Sequence, residues 1–315
     1  MRALVTGGAG FIGSNLVERL LEDGHDVRVL DNFSTGQRGN LDGLDVEVVE
    51  GELRSYERVH AAVRGVEVVF HLGALGSVPR SVQDPLTSTA VNVEGTLNVL
   101  LASRDEGIRR VVFSSSSSVY GSGDAYPRGE MAAPDPISPY GVSKLAAERY
   151  CISFSRVYGL ETVVLRLFNV FGPRQDPNSQ YAAVVPRFLT AAAADREITI
   201  YGDGRQSRDF TYVADVVSAT VIAADVPDAN GRVFNVAPGS PVTVLELAAA
   251  VGTVLERRVV ARHLPPRAGD IRDSWADTQA LETVFGFRPA TPLLEALRET
   301  AFHLRLDTEP AEVWA

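Results

Sequence analysis

Tyr140 and Lys144 stand four residues apart in the run Tyr140-Gly-Val-Ser-Lys144, a spacing that puts both side chains on one face of a helix. An ammonium beside a phenol stabilises the phenolate, so a pKa of ~10 falls toward neutrality and the phenol becomes a general base for a hydroxyl proton. Taken alone, such a pair is a common accident of sequence. A third element changes that. Val111-Val-Phe-Ser-Ser-Ser-Ser-Ser118 reads as a strand ending in hydroxyls, and it leads into Val119-Tyr120-Gly121 rather than into linker composition. Such an end can deliver Ser116 to the same mouth of a sheet.

A second cluster binds rather than reacts. Thr6-Gly7-Gly8-Ala9-Gly10-Phe11-Ile12-Gly13 joins an apolar strand to a helix whose apolar face carries Phe11, Ile12, Leu16 and Leu20. Gly7, Gly10 and Gly13 permit a tight turn and close backbone approach, and the helix N-terminus behind them attracts a pyrophosphate. Glycine turns are also ordinary punctuation, so the partner matters. Asp31 follows Gly13 by 18 residues, at the end of the second strand. A carboxylate there accepts from the adenosine ribose 2′-hydroxyl and repels a 2′-phosphate, which favours NAD over NADP. The other reading of Asp31 is a solvated turn residue.

These residues need a sheet to gather them. Segments 3–6, 27–30, 46–49, 66–71 and 111–114 are Val-rich on both faces, as parallel strands covered by helices on each side must be. Between them, 11–22, 56–64 and 85–104 carry helical apolar spacing. Ser138-Pro139 supplies an N-cap and a first-turn proline for a helix to about Tyr158, and 162–167 is the next strand. The order predicts an α/β fold, a doubly wound parallel Rossmann-type sheet with a smaller C-terminal substrate-binding lobe. Past Asn169 the pattern breaks at Gly172-Pro-Arg-Gln-Asp-Pro-Asn178; later, Thr243-Val-Leu-Glu246 is a capping box before a helix through about Leu255. The expected division is a nucleotide-binding domain of residues 1–170 with part of 203–238, interleaved with a lobe of 171–202 and 239–315.

The 315 residues are 45% apolar and 22% charged, a globular mix, and 30 basic against 40 acidic side chains leave a net charge of −10. So acidic a chain, without a long Lys/Arg run, is a poor ligand for nucleic acid or an anionic membrane surface. No apolar stretch approaches the ~20 residues of a membrane span, and the N-terminus passes straight into the first strand, leaving no room for a signal peptide. One cysteine, Cys151, excludes internal disulfides and a thiolate metal cluster, and it reads as a small core residue. His25, His60, His71, His263 and His303 lack the paired spacing of a metal site, so no metal is expected. The expectation is a soluble cytoplasmic protein.

Together the glycine motif, Asp31-Asn32-Phe33-Ser34-Thr35-Gly36, Ser116 with Tyr140 and Lys144, and Arg208-Asp209-Phe210 resemble the extended short-chain dehydrogenase/reductase family. Within it they are similar to the NAD-dependent nucleotide-sugar 4-epimerases, over nearly the whole chain. Gly76-Ser77-Val78-Pro79-Arg80-Ser81 and Phe168-Asn169-Val-Phe-Gly-Pro-Arg-Gln-Asp176 look most like the bacterial branch acting on UDP-N-acetylhexosamines. The resemblance implies Ser116, Tyr140 and Lys144 as the catalytic set. It implies NAD contacts at Gly7, Gly10, Phe11, Ile12, Gly13, Asp31, Asn32, Ser34, Thr35, Gly36, Glu52, Leu53, Leu72, Ala74, Asn92 and Phe168, besides Tyr140 and Lys144. UDP-sugar contacts are implied at Ser77, Ser116, Asn169, Val184, Tyr201, Arg208, Arg267, Asp270 and Ser274, with Tyr201 near the uracil. Two positions depart from the family: Glu52-Leu53 stands where Asp-Ile or Asp-Leu is usual, and Gly73 where Ala is usual. A homodimer through the helices around 85–104 and 140–158 is implied as well.

The implied reaction has Tyr140 take the proton of a sugar 4-hydroxyl while hydride passes to NAD and returns to the opposite face of the 4-keto sugar. Ser116 hydrogen-bonds the same oxygen, and Lys144 holds the nicotinamide ribose. Two other readings stay open. Dehydratases and decarboxylases of this fold place an acidic residue just before the Val-Tyr-Gly step, where this chain has Ser117 and Ser118. An inactive NAD-sensing or scaffolding protein would usually have lost the Tyr or the Lys, and both are present. For substrate size, family members with a Tyr before the Trp-Ala-Asp-type segment resemble enzymes restricted to UDP-glucose and UDP-galactose. Ser274 stands there, before Trp275-Ala276-Asp277. A small residue leaves room for an acetamido group in a close-packed site, so UDP-GlcNAc/UDP-GalNAc interconversion is expected, with the plain pair accepted too.

Overall fold

Valines alternate sides along each strand of the first half, and the two faces of the sheet feed two cores. From strand Arg2–Thr6, Ala3 and Val5 point into one core and Leu4 into the other; Val68 and Phe70 share the first, Val69 the second. The computed structural model describes residues 1–123, 125–177, 183–266 and 271–306. Seven strands form one wholly parallel sheet in the spatial order Arg232–Val236, Glu161–Leu167, Arg110–Ser116, Val68–His71, Arg2–Thr6, Asp26–Asp31 and Glu47–Glu50. The order reverses between Arg2–Thr6 and Val68–His71. A crevice opens there at the carboxyl ends of the strands, the usual ligand position in such sheets.

One face is covered by helices Phe11–Glu22 and Val213–Ala223, through fully buried Leu16, Val17, Leu20 and Val216. Burying a side chain such as Leu16 is worth roughly 1.5–3 kcal/mol. The other face takes Tyr56–Val63, Gly95–Asp105 and Pro139–Tyr158, through Val59, Leu100, Ala147, Cys151 and Phe154. The doubly wound sheet is as the sequence pattern predicts.

A separate core gathers Phe171, Val185, Leu189, Ile198, Ile200, Leu247, Val251 and Leu297. It draws on both expected pieces of the second lobe. Helix Gln279–Phe285, however, packs on the large sheet, with Phe285 4.8 Å from the ring of Phe234. Its apolar side, Leu281 and Phe285, matches the exposed flank of the edge strand Arg232–Val236 better than the smaller core. Two helical details also differ from expectation. The single helix over 85–104 is Pro85–Thr89, a widened π-turn Ala90–Glu94, and then Gly95–Asp105. Helix Val78–Gln83, capped by Ser77, was not anticipated because six residues with a proline give no readable period. Among the described residues no helix is long and apolar enough to cross a membrane.

Candidate active site

The first strand stops at Thr6 and the first helix begins at Phe11, so the chain reverses within a few residues of the crevice. Gly7 has φ +71°, and a Cβ there would lie 2.7 Å from Gly73 Cα; a Cβ on Gly13 would lie 2.1 Å from the Gly7 carbonyl oxygen. Only glycine allows the left-handed turn at one position and the helix's approach at the other. The helix's N-cap is Gly10, which supplies no side-chain cap. Its first amides therefore keep their affinity for an anion.

Asp31, 8% exposed, ends the second strand. Its Oδ2 accepts from Ala9 N at 3.0 Å and its Oδ1 from Phe33 N at 2.8 Å, so the carboxylate is fixed between the glycine turn and the next loop. Each oxygen keeps a lone pair for a ribose hydroxyl. Gly36 lies behind the carboxylate: a Cβ there would meet Asp31 Oδ2 at 3.0 Å.

The segment after strand Val68–His71 is braced from below by buried hydrogen bonds. Gly73 N donates to Thr6 Oγ1 at 3.1 Å, which leaves the Thr6 proton for His71 Nδ1 at 2.7 Å. Thr96 donates to the Asn92 carbonyl at 2.6 Å and so accepts from His71 Nε2 at 2.9 Å. These bonds suit a neutral His71, and burial, aided by the charge of Lys144, pushes its pKa down to about 3. Asn92, at the π-turn, exchanges hydrogen bonds with Leu75 N and O and donates to Ser143 Oγ. It joins the crevice segment to the helix of Tyr140.

That helix starts at Pro139, its cap Ser138 accepting from Gly141 N at 3.1 Å. Tyr140 N donates to Ser81 Oγ at 3.0 Å, so the short helix Val78–Gln83 satisfies a first-turn amide. Lys144 is buried; its Nζ donates to the Ser114 carbonyl at 2.8 Å and sits 4.8 Å from the Phe113 ring centre. Ser116 accepts from Ser118 N, and its hydroxyl is 3.1 Å from Ser118 Oγ.

The expectation that Lys144 lowers the Tyr140 pKa needs correction. Burial pushes the phenol above its ordinary value, and the influence opposing that is the neighbouring Ser116 hydroxyl. The ammonium is committed to the Ser114 carbonyl and is itself pushed down to about 8, by burial first. Cys151 lies in the core, its thiol pushed up by burial, which makes it a poor nucleophile.

A cavity of about 980 Å³ occupies the crevice. Of the expected cofactor set, Gly7, Gly10, Phe11, Ile12, Gly13, Asp31, Asn32, Ser34, Thr35, Glu52, Leu53, Leu72 and Ala74 line it, with Tyr140 and Lys144. Gly36, Asn92 and Phe168 do not. Asn92 is the brace described above, and Phe168 is fully buried against Tyr120 and Ala276. Glu52 reaches the wall paired with Arg54 at 2.5 Å.

Of the expected sugar-side set only Ser77 is on this wall. Asn169 donates to the Asp209 carbonyl, Val184 opens helix Val184–Ala193, and Tyr201 ends strand Ile198–Tyr201. Ser274 pairs in parallel register with Arg208, which donates to the Ser207 and Arg272 carbonyls. Arg267 and Asp270 lie outside the described residues. Sequence reasoning passed over Ser114, Ser115, Leu167, Ala183 and Arg187, which do line the cavity. The serine run was the visible signal for two of these; nothing marked the others.

The cavity fits NAD. A glycine cradle that a Cβ would fill, an uncapped helix N-terminus and a fixed carboxylate face one space, and the buried Ser114 hydroxyl there has no partner. A parallel sheet with this cavity at its switch point, walled by a Tyr–Lys pair, defines a dinucleotide-dependent α/β enzyme. Residues 3–237 match the NAD dependent epimerase/dehydratase family. The chain belongs to that family. It is 40% identical to a UDP-glucose 4-epimerase of Mycolicibacterium smegmatis, covering 97% of this chain and 99% of the relative. Among solved structures it resembles a UDP-glucose 4-epimerase of Thermotoga maritima with UDP-glucose (38% identity, TM-score 0.93, 97% and 99% covered). A UDP-N-acetylglucosamine 4-epimerase of Methanobrevibacter ruminantium, in complex with UDP-N-acetylmuramic acid, is similar too (40%, TM-score 0.92, 96% and 98% covered).

Proposed function

We propose that the protein interconverts C4 epimers of a UDP-sugar. The observation that carries this reading is Tyr140 beside Lys144 on the wall of the glycine-cradled cavity, with Lys144 held to the end of the serine strand through the Ser114 carbonyl. Tyr140 removes the proton of the sugar 4-hydroxyl and later returns it, and Ser116 orients that oxygen and stabilises the phenolate. NAD, when bound, supplies a reversible hydride acceptor. The two positions after Ser116 are hydroxyls, Ser117 and Ser118, with Ser118 hydrogen-bonded to Ser116. Neither can be the carboxyl acid that eliminating water from the sugar requires, which favours epimerisation over dehydration.

The substrate side is assigned to Asn169, Val184, Tyr201, Arg208 and Ser274, on or beside the second core, together with Arg267 and Asp270. Its preferred substrates are UDP-GlcNAc and UDP-GalNAc, with UDP-glucose and UDP-galactose also accepted, because Ser274 is small. The working form is a homodimer: Leu86, Val142 and Val157 are 83%, 53% and 67% exposed, on the helices expected to pair. Incubation with each of the four UDP-sugars, followed by NMR of the products, tests the reading. Conversion of each N-acetylated sugar to its C4 epimer is the expected result. Unchanged substrates, or loss of water, refute it.

A further inference from the structure

Lys144 is the only lysine in the 315-residue sequence; the other 29 of the 30 basic residues are arginines. It lies above an ionic group that the reaction does not touch. Helix Pro139–Tyr158 carries Tyr140, Lys144 and Glu148 at successive four-residue steps, along one face. The Glu148 side chain is 0% exposed, and that of Arg166, from strand Glu161–Leu167, 2%. Two parallel bonds join them, Nε to Oε1 at 2.9 Å and Nη2 to Oε2 at 2.8 Å. Oε1 also accepts the Ser115 hydroxyl, at 2.5 Å. The carboxylate thus grips the strand end between Ser114, whose carbonyl holds Lys144, and Ser116, whose hydroxyl is bonded to Ser118. Arg166 in turn lies over the Tyr120 ring, whose hydroxyl donates to Asn235, so the clamp is anchored on both sides.

As mere glue a buried ion pair is a poor choice, since its desolvation cost rivals its attraction. Its place beside a lone buried ammonium gives it a use. The groups facing Lys144 are few. His71, from strand Val68–His71, is kept neutral by burial, and Ser114 offers only a carbonyl. Cys151 stays a neutral thiol, because burial pushes it well above the range where Lys144 titrates. Tyr140 is an uncharged phenol until it reacts. Glu148 is therefore the standing negative charge that opposes the effect of burial on Lys144.

We propose that Glu148, clamped by Arg166, is a positioning residue of the reaction: its charge keeps Lys144 an ammonium, and its bond to Ser115 fixes the strand end that presents Ser116 to Tyr140. The proposal rests on the roles given above to Tyr140, Lys144 and Ser116. Holoenzyme grown with lysine carbon-labelled at Cε gives one side-chain resonance, which reads the protonation of Lys144 without turnover. Glu148→Gln should move its titration midpoint to lower pH by about one unit, and the alkaline limb of kcat should move with it. That variant strands Arg166 and can unfold the chain. The double variant Glu148→Gln/Arg166→Met buries no unpaired charge; because it also removes the opposing charge of Arg166, it should show a smaller displacement in the same direction. Ser115→Ala keeps both charges; it should leave the midpoint in place and lower kcat at least about threefold with KM unchanged. A resonance that moves in neither Glu148→Gln nor the double variant overturns the role given to charge. Wild-type kcat in Ser115→Ala overturns the role given to the strand end. If the unmutated protein epimerises no UDP-sugar while the double variant's resonance still shifts, it is the proposed reaction that fails, not the control of Lys144 by Glu148.

Discussion

Gly13→Ala puts the smallest side chain into the tightest point of the cofactor cradle. The added Cβ would stand 2.1 Å from the Gly7 carbonyl oxygen and 2.9 Å from Gly8 Cα, against a practical limit of 3.0 Å, so the first gap is short by 3.0 − 2.1 = 0.9 Å. Neither side can yield cheaply. Gly7 is tied to Leu30 by a 2.8 Å backbone bond and to Gly10 by a 3.0 Å one. The helix carrying Gly13 is fixed by buried Leu16, Val17 and Leu20. Overpacking of this kind costs about 1–3 kcal/mol. At about 2–4 °C per kcal/mol, Tm should fall by roughly 2–12 °C. The turn that must shift is also the one facing the pyrophosphate, so bound NAD should drop well below one per chain. Gly39→Ala is the matched control, since its Cβ would make only an ordinary 3.7 Å contact with Asp42. Thermal unfolding with and without added NAD, and absorbance of nucleotide released by acid, measure both effects. If Gly13→Ala keeps a full complement of NAD and the Tm of Gly39→Ala, the cradle does not bind the cofactor as described.

Three further outcomes follow from the same geometry. Tyr140→Phe should cut turnover ~10²–10⁴-fold or more while bound NAD is retained, whereas Ser116→Ala should be slower but measurable, with the Ser118 hydroxyl 3.1 Å from the lost one. Product NMR and nucleotide content separate the two effects; wild-type turnover by Tyr140→Phe would sink the mechanism. Stripped protein should bind NAD roughly 10–150-fold more tightly than NADP, the loss of one charge-assisted hydrogen bond at Asp31 being worth about 1.5–3 kcal/mol. Equal affinities in a titration contradict that. Ser274→Tyr should depress kcat/KM for UDP-GlcNAc at least about tenfold more than for UDP-glucose; a uniform loss on both sugars, or none, removes Ser274 from the size gate.

What the sequence made legible was local. Gly7, Gly10 and Gly13, the Ser138 cap and the capping box at Thr243 and Glu246 each express their chemistry within a few residues, and each stands where the pattern put it. Asp31 was readable because a strand end fixes its place relative to the turn. The polarity of Tyr140 was misjudged, because spacing reports that Lys144 shares a face with it but not that the ammonium turns to the Ser114 carbonyl. Asn92 also braces the crevice segment, a role set by a π-turn that no apolar period reveals. The sugar side was least legible. Its register, Asp273–Ser274 beside Ser207–Arg208, joins segments 66 residues apart by two-residue strands that leave no pattern.

The burial of Lys144 gives the molecule a built-in reporter. Its ε-amine lies inside the fold, and no other side chain of the sequence carries an amine. The amine borders the cofactor cavity, so amine-acylating reagents reach it through that crevice. The rate at which that single site is capped in native buffer therefore reports how open the cavity is to solutes, at a residue that needs no engineered tag. NAD in the cavity blocks the same route, so the slowing of capping with added NAD measures cofactor occupancy.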